Sequence, residues 1–216
     1  MDLGRIITWM EPAVDGDFVP PPLDEELVLR ALGDAAGPRN VEQHLTLLRH
    51  WNGFYALRGL LHVLGGCTTP PNHSLEAWNS LDGWRRAYGM RTEGAVFFAQ
   101  DAFGDQFGYR QGKVVRLKAQ LGVLEGVATS LVEWIESVLV EPDYALSRKL
   151  FELCIDAHGP LPHGGLFFVP SMQGPFDAEK VQVMPRRDGM ELLAVAAAAG
   201  VRRPSAMLRA SQKPGS

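Results

Sequence analysis

Ala95-Val96-Phe97-Phe98-Ala99-Gln100-Asp101-Ala102-Phe103-Gly104-Asp105-Gln106-Phe107-Gly108-Tyr109-Arg110-Gln111-Gly112-Lys113-Val114-Val115-Arg116-Leu117 reads as three strands and two turns. The continuous apolar run Ala95 to Ala99 has strand length, and Asp101 to Asp105 carries the Asp and Gly of a tight turn. Gln106 to Arg110 resumes as a strand, and Gln111-Gly112 turns the chain into Lys113 to Leu117. There Val115 and Leu117 can face one side while Arg116 and Lys118 face the other. Consecutive strands joined by short turns form an antiparallel meander, because a parallel pair needs a long crossover. Upstream, Phe54 to Leu57 and Leu60 to Leu64 are two more short apolar runs, separated by Arg58-Gly59 and ended by Gly65-Gly66, and they read as a hairpin.

Helical patterns flank these strands. Asn40 followed by Gln43 has the form of a capping box, and Val41, His44, Leu45, Leu47, Leu48 and Trp51 recur at helical spacing until Asn52-Gly53. Ser74 is an N-cap for a helix with Leu75, Trp78 and Leu81 on one face, followed by Trp84 and Tyr88 before Gly89. Thr129 or Ser130 caps a helix carrying Leu131, Trp134, Ile135 and Val138. Asp143 caps another with Leu146, Leu150, Phe151, Cys154 and Ile155, ended by Gly159-Pro160. Beyond it lie short strands at Leu166 to Val169 and Val181 to Met184 and a helix from Gly189 to Ala199. Helices, then hairpins, then helices, without strand-helix-strand alternation, predict an α+β fold around an antiparallel sheet. The expected organisation is an acidic, proline-rich arm over 1–22, one domain over 23–200, and a basic flexible tail over 201–216.

The composition of the 216 residues, 46% hydrophobic and 21% charged, excludes disordered and fibrous classes. No apolar run is long enough for a membrane span and residues 1–5 are no secretory leader, so a cytoplasmic chain is expected, without a membrane partner. The net charge is -4. Residues 1–26 hold seven acids against Arg5, whereas 202–216 hold four basic residues and no acid. A nucleic-acid binder concentrates basic residues on one face, and a short basic tail does not supply one, so no direct nucleic-acid partner is expected. The arm's charges, beside Val19-Pro20-Pro21-Pro22, should stay solvated, and its deletion should leave folding intact.

The residues that carry chemistry elsewhere do not assemble into a motif. Gly65-Gly66, Gly122 with Gly126, and Gly164-Gly165 lack the Lys-Ser/Thr of a phosphate loop and the spacing of a dinucleotide fingerprint, so they read as turn glycines and no cofactor is expected. The six histidines include no i, i+4 pair; His62, Cys67 and His73 could converge only if the loop between them folded back, and no metal is expected. Cys67 and Cys154 are too few and too far apart for a disulfide framework, and Cys154 falls on an apolar helix face. Ser130, Ser171 and Cys154 lack a nucleophile elbow, so no catalytic residue is assigned. Asp101 and Asp105 either fix their own turn through backbone N–H groups or belong to an interface. Trp51, Trp78 and Trp134 lie on apolar faces, while Trp84, beside Arg85 and Arg86, fits the surface as well as the core.

The order of these features resembles the SMI1/KNR4 family, also called the SUKH superfamily. The resemblance rests on Trp51-Asn52-Gly53-Phe54-Tyr55 after a helix, Leu60-Leu61-His62-Val63-Leu64-Gly65, the Trp-containing helix, Phe98 to Tyr109 with its Gly-Asp turn, and Ser130-Leu131-Val132-Glu133-Trp134-Ile135. It spans roughly residues 23 to 140. The stretch Gly159 to Ala199, in an extension beginning near 141, looks like one carried by some bacterial members. The resemblance implies a curved antiparallel sheet flanked by helices. It also implies a binding protein rather than an enzyme, with bacterial members often acting as immunity proteins that neutralise a cognate toxin by direct contact. The alternative it carries is a regulatory or scaffold module without a toxin; a third reading, apart from the resemblance, is an enzyme whose site no motif reveals. An acidic inhibitor face would suit a cationic toxin such as a nuclease, imitating phosphate and accelerating encounter. On this reading Asp101, Asp105, Trp84 and Tyr55 are the candidate partner-binding residues.

Overall fold

The computed structural model of the protein describes residues 3–170 and 176–201. It is α+β. The first helix is α1 (Leu3–Met10), and α2 (Glu25–His50) follows with kinks at Gly33 and Gly37. Next come β1 (Phe54–Ala56), β2 (Leu61–Val63) and the short helices α3 (Leu75–Trp78) and α4 (Arg85–Tyr88). The meander is β3 (Val96–Asp101), β4 (Gln106–Arg110), β5 (Lys113–Lys118) and β6 (Val123–Ala128). Three helices, α5 (Leu131–Val140), α6 (Pro142–Leu146) and α7 (Arg148–His158), lead to β7 (Gly165–Phe168), β8 (Gln182–Pro185) and α8 (Arg186–Val201).

The first six strands form one antiparallel sheet in chain order, and β7 pairs with β8 in a separate hairpin. α2 packs against β3, β4 and β5, and α1 packs against α2 and α5. The β7–β8 hairpin and α8 make a C-terminal layer that reaches back to the sheet: the Phe167 N–H donates to the Ala102 carbonyl at 2.8 Å. Leu48, Phe97, Phe98, Tyr109, Leu117, Trp134 and Leu166 belong to one continuous buried core.

Residues 1–22 are not a detached arm. Ile6 and Met10, four apart, put one face of α1 into the core, an amphipathic signal hidden by the prolines that follow. Val14 bridges Ala56, extending the sheet beyond β1, and the Asp15 carboxylate accepts from the N–H groups of Arg58 and Gly59 at 2.9 and 2.7 Å. These contacts overturn the expectation of a detached arm: Asp15 is tied down, while Glu11 and Asp17 stay exposed as expected. The basic tail from Arg202 onward lies outside the described residues, as does Ser171; Val201 still belongs to α8.

Three helices depart from the sequence reading. Asp24 caps α2, its carboxylate accepting from Leu27 N at 3.0 Å, so Asn40 sits inside the helix. Its amide instead donates to the carbonyls of Ala36 and Gly112 and accepts from Leu131 N, tying α2 to the meander and to α5. The aromatic helix after Ser74 breaks into α3 and α4, with Leu81 exposed between them. The helix expected from Asp143 breaks at Ser147, whose φ of 58° leaves the helical region. Ser130 caps α5, accepting from Glu133 N.

A candidate binding cleft beside a buried polar relay

The Asp101–Asp105 turn closes the β3–β4 hairpin, and its two carboxylates have different work. Asp101 holds the turn: its Oδ1 accepts from Phe103 N at 2.9 Å and Asp105 N at 3.0 Å. Asp105 reaches outward, accepting from Ala119 N and from Arg116 Nε, each at 2.8 Å. The Arg116 guanidinium also lies over the Phe107 ring. Gly104 permits this geometry with φ at 93°, and a Cβ there would stand 2.5 Å from Leu193 of α8. Only 1% of Asp101 is exposed, and burial together with the charge of Asp105 pushes its pKa up to about 8.

Between this turn and the C-terminal layer opens a cleft of about 300 Å³. Asp101, Asp105 and Arg116 line its polar end, with Lys118 beside them; Phe103, Leu121, Leu150, Val169, Phe176 and Leu193 supply the apolar surface. Lys118 is paired with Glu125 at 2.9 Å.

A buried relay crosses the neighbouring strands. Trp78 Nε1 donates to Gln106 Oε1, Gln106 Nε2 to Gln100 Oε1, and Gln100 Nε2 to His62 Nδ1. His62, Gln100 and Gln106 are partners in register across β2, β3 and β4, so the strand pairing itself aligns the chain. His73 Nε2 lies 3.2 Å from the Asn52 carbonyl and must donate to it. His73 Nδ1 therefore accepts from His62 Nε2, 2.8 Å away, leaving His62 Nδ1 as an acceptor. Arg186, buried at the start of α8, also donates to His62 Nδ1, and its Nε has no hydrogen-bond partner among the described residues. Tyr55 stacks between His62 and His163 with ring centroids 4.2 Å apart on each side, and its hydroxyl accepts from Gly164 N.

The structure brings Asp101 and Asp105 together at the cleft and places the other two candidates elsewhere. Tyr55 is buried in the ring stack, and Trp84 is buried with its indole N–H on the Trp78 carbonyl. Neither presents a surface anchor to a partner. Trp84 follows the core because its neighbour Arg85 is itself buried, donating to the carbonyls of Asn79, Thr92 and Ala95. His62 and His73 meet, but Cys67 does not join them; among the described residues no group of three or more His, Cys, Asp or Glu is arranged around a metal position. Of the glycines read as turn residues, Gly122 and Gly164 have positive φ, whereas Gly65 and Gly66 are needed for close packing against Asn52 and Val28. Arg116 and Arg186 escaped the sequence reading. Alternation in β5 marks Arg116 as facing away from Val115 and Leu117, but its acid partner follows only from strand register.

No protein-family model matches the chain, and no curated protein matches it. Among solved structures it is similar to the crystal structure of Atu4351 from Agrobacterium tumefaciens, with 13% identity, 84% of each chain covered and a TM-score of 0.57. At that identity the likeness concerns the fold alone. No helix among the described residues is long and apolar enough to cross a membrane.

Proposed function

We propose that the protein is a binding module of the SMI1/KNR4 kind that neutralises a cognate, cationic protein toxin by direct contact. The observation that supports this reading is the surface of α5, α6 and α7. Val140, Tyr144 and Leu153 are exposed there, Tyr144 to 83%. Large apolar side chains repeated along one short stretch are the usual anchors of an interface. Acids surround them. Arg148 is paired with Glu152 and Lys149 with Asp143, leaving Glu133, Glu136, Glu141 and Asp156 as the surplus charge of this stretch. An apolar anchor inside an acidic rim complements a basic partner and steers its approach. No reactive group is required of such a surface.

The test is binding of the purified chain to the product of the neighbouring gene, with growth rescue on co-expression. Replacing Tyr144 and Leu153 together by Ala should weaken binding by about a hundredfold, as for paired hot-spot residues, and leave the thermal midpoint unchanged. Undiminished affinity in that variant would move the interface elsewhere. Absence of any complex or rescue would overturn the toxin-binding reading.

A further inference from the structure

We propose that the cleft at Asp101 is a binding site for a small monocarboxylate with an apolar body. Two polar groups at its closed end have capacity left over. Asp101 spends Oδ1 on two backbone N–H groups, while Oδ2 takes no hydrogen bond from a described residue; Arg116 Nη2 stands 3.9 Å away. Arg116 gives Nε to Asp105, and its terminal nitrogens have no hydrogen-bond acceptor among the described residues. The gap between Asp101 and Arg116 is too wide for a direct bond and suits one bridging oxygen. Both groups line the cleft.

The electrostatics select the sign of the ligand. The charged groups around Asp101 are Asp105 in its own turn, Arg116 and Lys118 on β5, Glu125 on β6 and Arg186 on α8. Lys118 and Glu125 cancel. Burial and the charge of Asp105 favour the protonated form of Asp101, and in that form Arg116 and Arg186 face one carboxylate, so a single positive charge is unbalanced. A monoanion cancels it and accepts hydrogen bonds from both the Asp101 hydroxyl and Arg116. An amine would meet two donors and surplus positive charge. The apolar walls then favour a hydrocarbon body over a bare inorganic anion, and the volume lies at the small end of ligand sites. This site uses none of Val140, Tyr144 and Leu153 and goes beyond the partner reading.

Calorimetric titration of the full chain with hexanoate, hexylamine and hexanol near pH 6.5 tests it. Hexanoate should saturate in the millimolar range, about tenfold tighter than either competitor. Binding should weaken about tenfold near pH 9, where Asp101 has lost its proton. Asp101→Asn, which keeps a donor at that position, should bind hexanoate without this alkaline loss. Leu150→Trp, made from the cleft wall, should block binding while leaving Asp101 and Arg116 intact, and it keeps the test decisive if an Asp101 variant fails to fold. N-acetylglutamate amide separates the sources of the carboxylate: tighter binding than hexanoate assigns it to a partner's acidic side chain, and weaker binding to a free acid. Hexylamine binding as well as hexanoate, hexanoate indifferent to Leu150→Trp, or no saturable carboxylate binding would each overturn the proposal.

Discussion

His62 and His73 each use a ring nitrogen as an acceptor inside the core, so neither can take a second proton without breaking the relay. Burial holds His73 down at about 4 and His44 at about 3, and burial with the charge of Arg186 holds His62 well below its ordinary value. These rings stay neutral in the folded chain but charge in the unfolded one below about pH 6.5. The unfolded state then binds more protons, and stability falls from about pH 6.5 towards 4 by about 1.4 kcal/mol per unit for each histidine. Asp101 acts in the opposite sense. Its pKa rises from 3.8 to about 8, so its contribution is present below the unfolded value and is lost as pH climbs through 8. Asp105 is raised too. Three histidines outweigh two carboxyls on the acid side, and Asp101 dominates above neutrality. The urea midpoint, followed between about pH 4.5 and 8.5, should peak near 6.5; a midpoint that climbs steadily to 8.5 would contradict this balance. Asp105→Ala strands Arg116 and the Ala119 N–H, and should cost about 2 to 4 kcal/mol by the same measurement. Loss of less than about 1 kcal/mol would mean that solvent replaces both contacts.

At the scale of elements, α1 carries the sharpest consequence. Ile6 is wholly buried, and Ile6→Ala should cost about 2 to 5 kcal/mol, whereas the exposed Trp9→Ala on the same helix should stay within about 0.5 kcal/mol. Equal and small effects would show that α1 does not dock. Gly53, with φ at 72°, supports the turn into β1, and a Cβ there would lie 2.7 Å from the Gly65 nitrogen. Gly53→Ala should therefore unfold more of the chain than any other glycine-to-alanine change in the β1–β2 region, seen as the largest drop in thermal midpoint. The meander was legible in the sequence because each strand and turn is decided by its own few residues. β6 was not: Val123, Gly126 and Val127 show no burial alternation, and its existence depends on β5 beside it. The first half of α2 was obscured by Gly33 and Gly37, and α1 by the prolines that follow it. The Asp101–Asp105 pair could be seen as a turn. Its cation, Arg116, required the β4–β5 register, and the link from His62 to Arg186 spans 124 residues, beyond any local pattern.

For the whole molecule, the sheet is local and its covering is not. All six strands neighbour each other in chain order, so the contacts that build the sheet are short-range and quickly found. The cover on the Asp101 side is built from the end of the chain, where Phe167 reaches Ala102 and Arg186 reaches His62. That order acquires a direction during synthesis. On the ribosome the chain emerges from its N-terminus, and strands β1 to β6 are complete at Ala128, well before Arg186 has left the tunnel. Nascent chains arrested after β6 should resist protease within β3 to β5, while the face bearing His62, Gln100 and Gln106 waits uncovered and open to a chaperone.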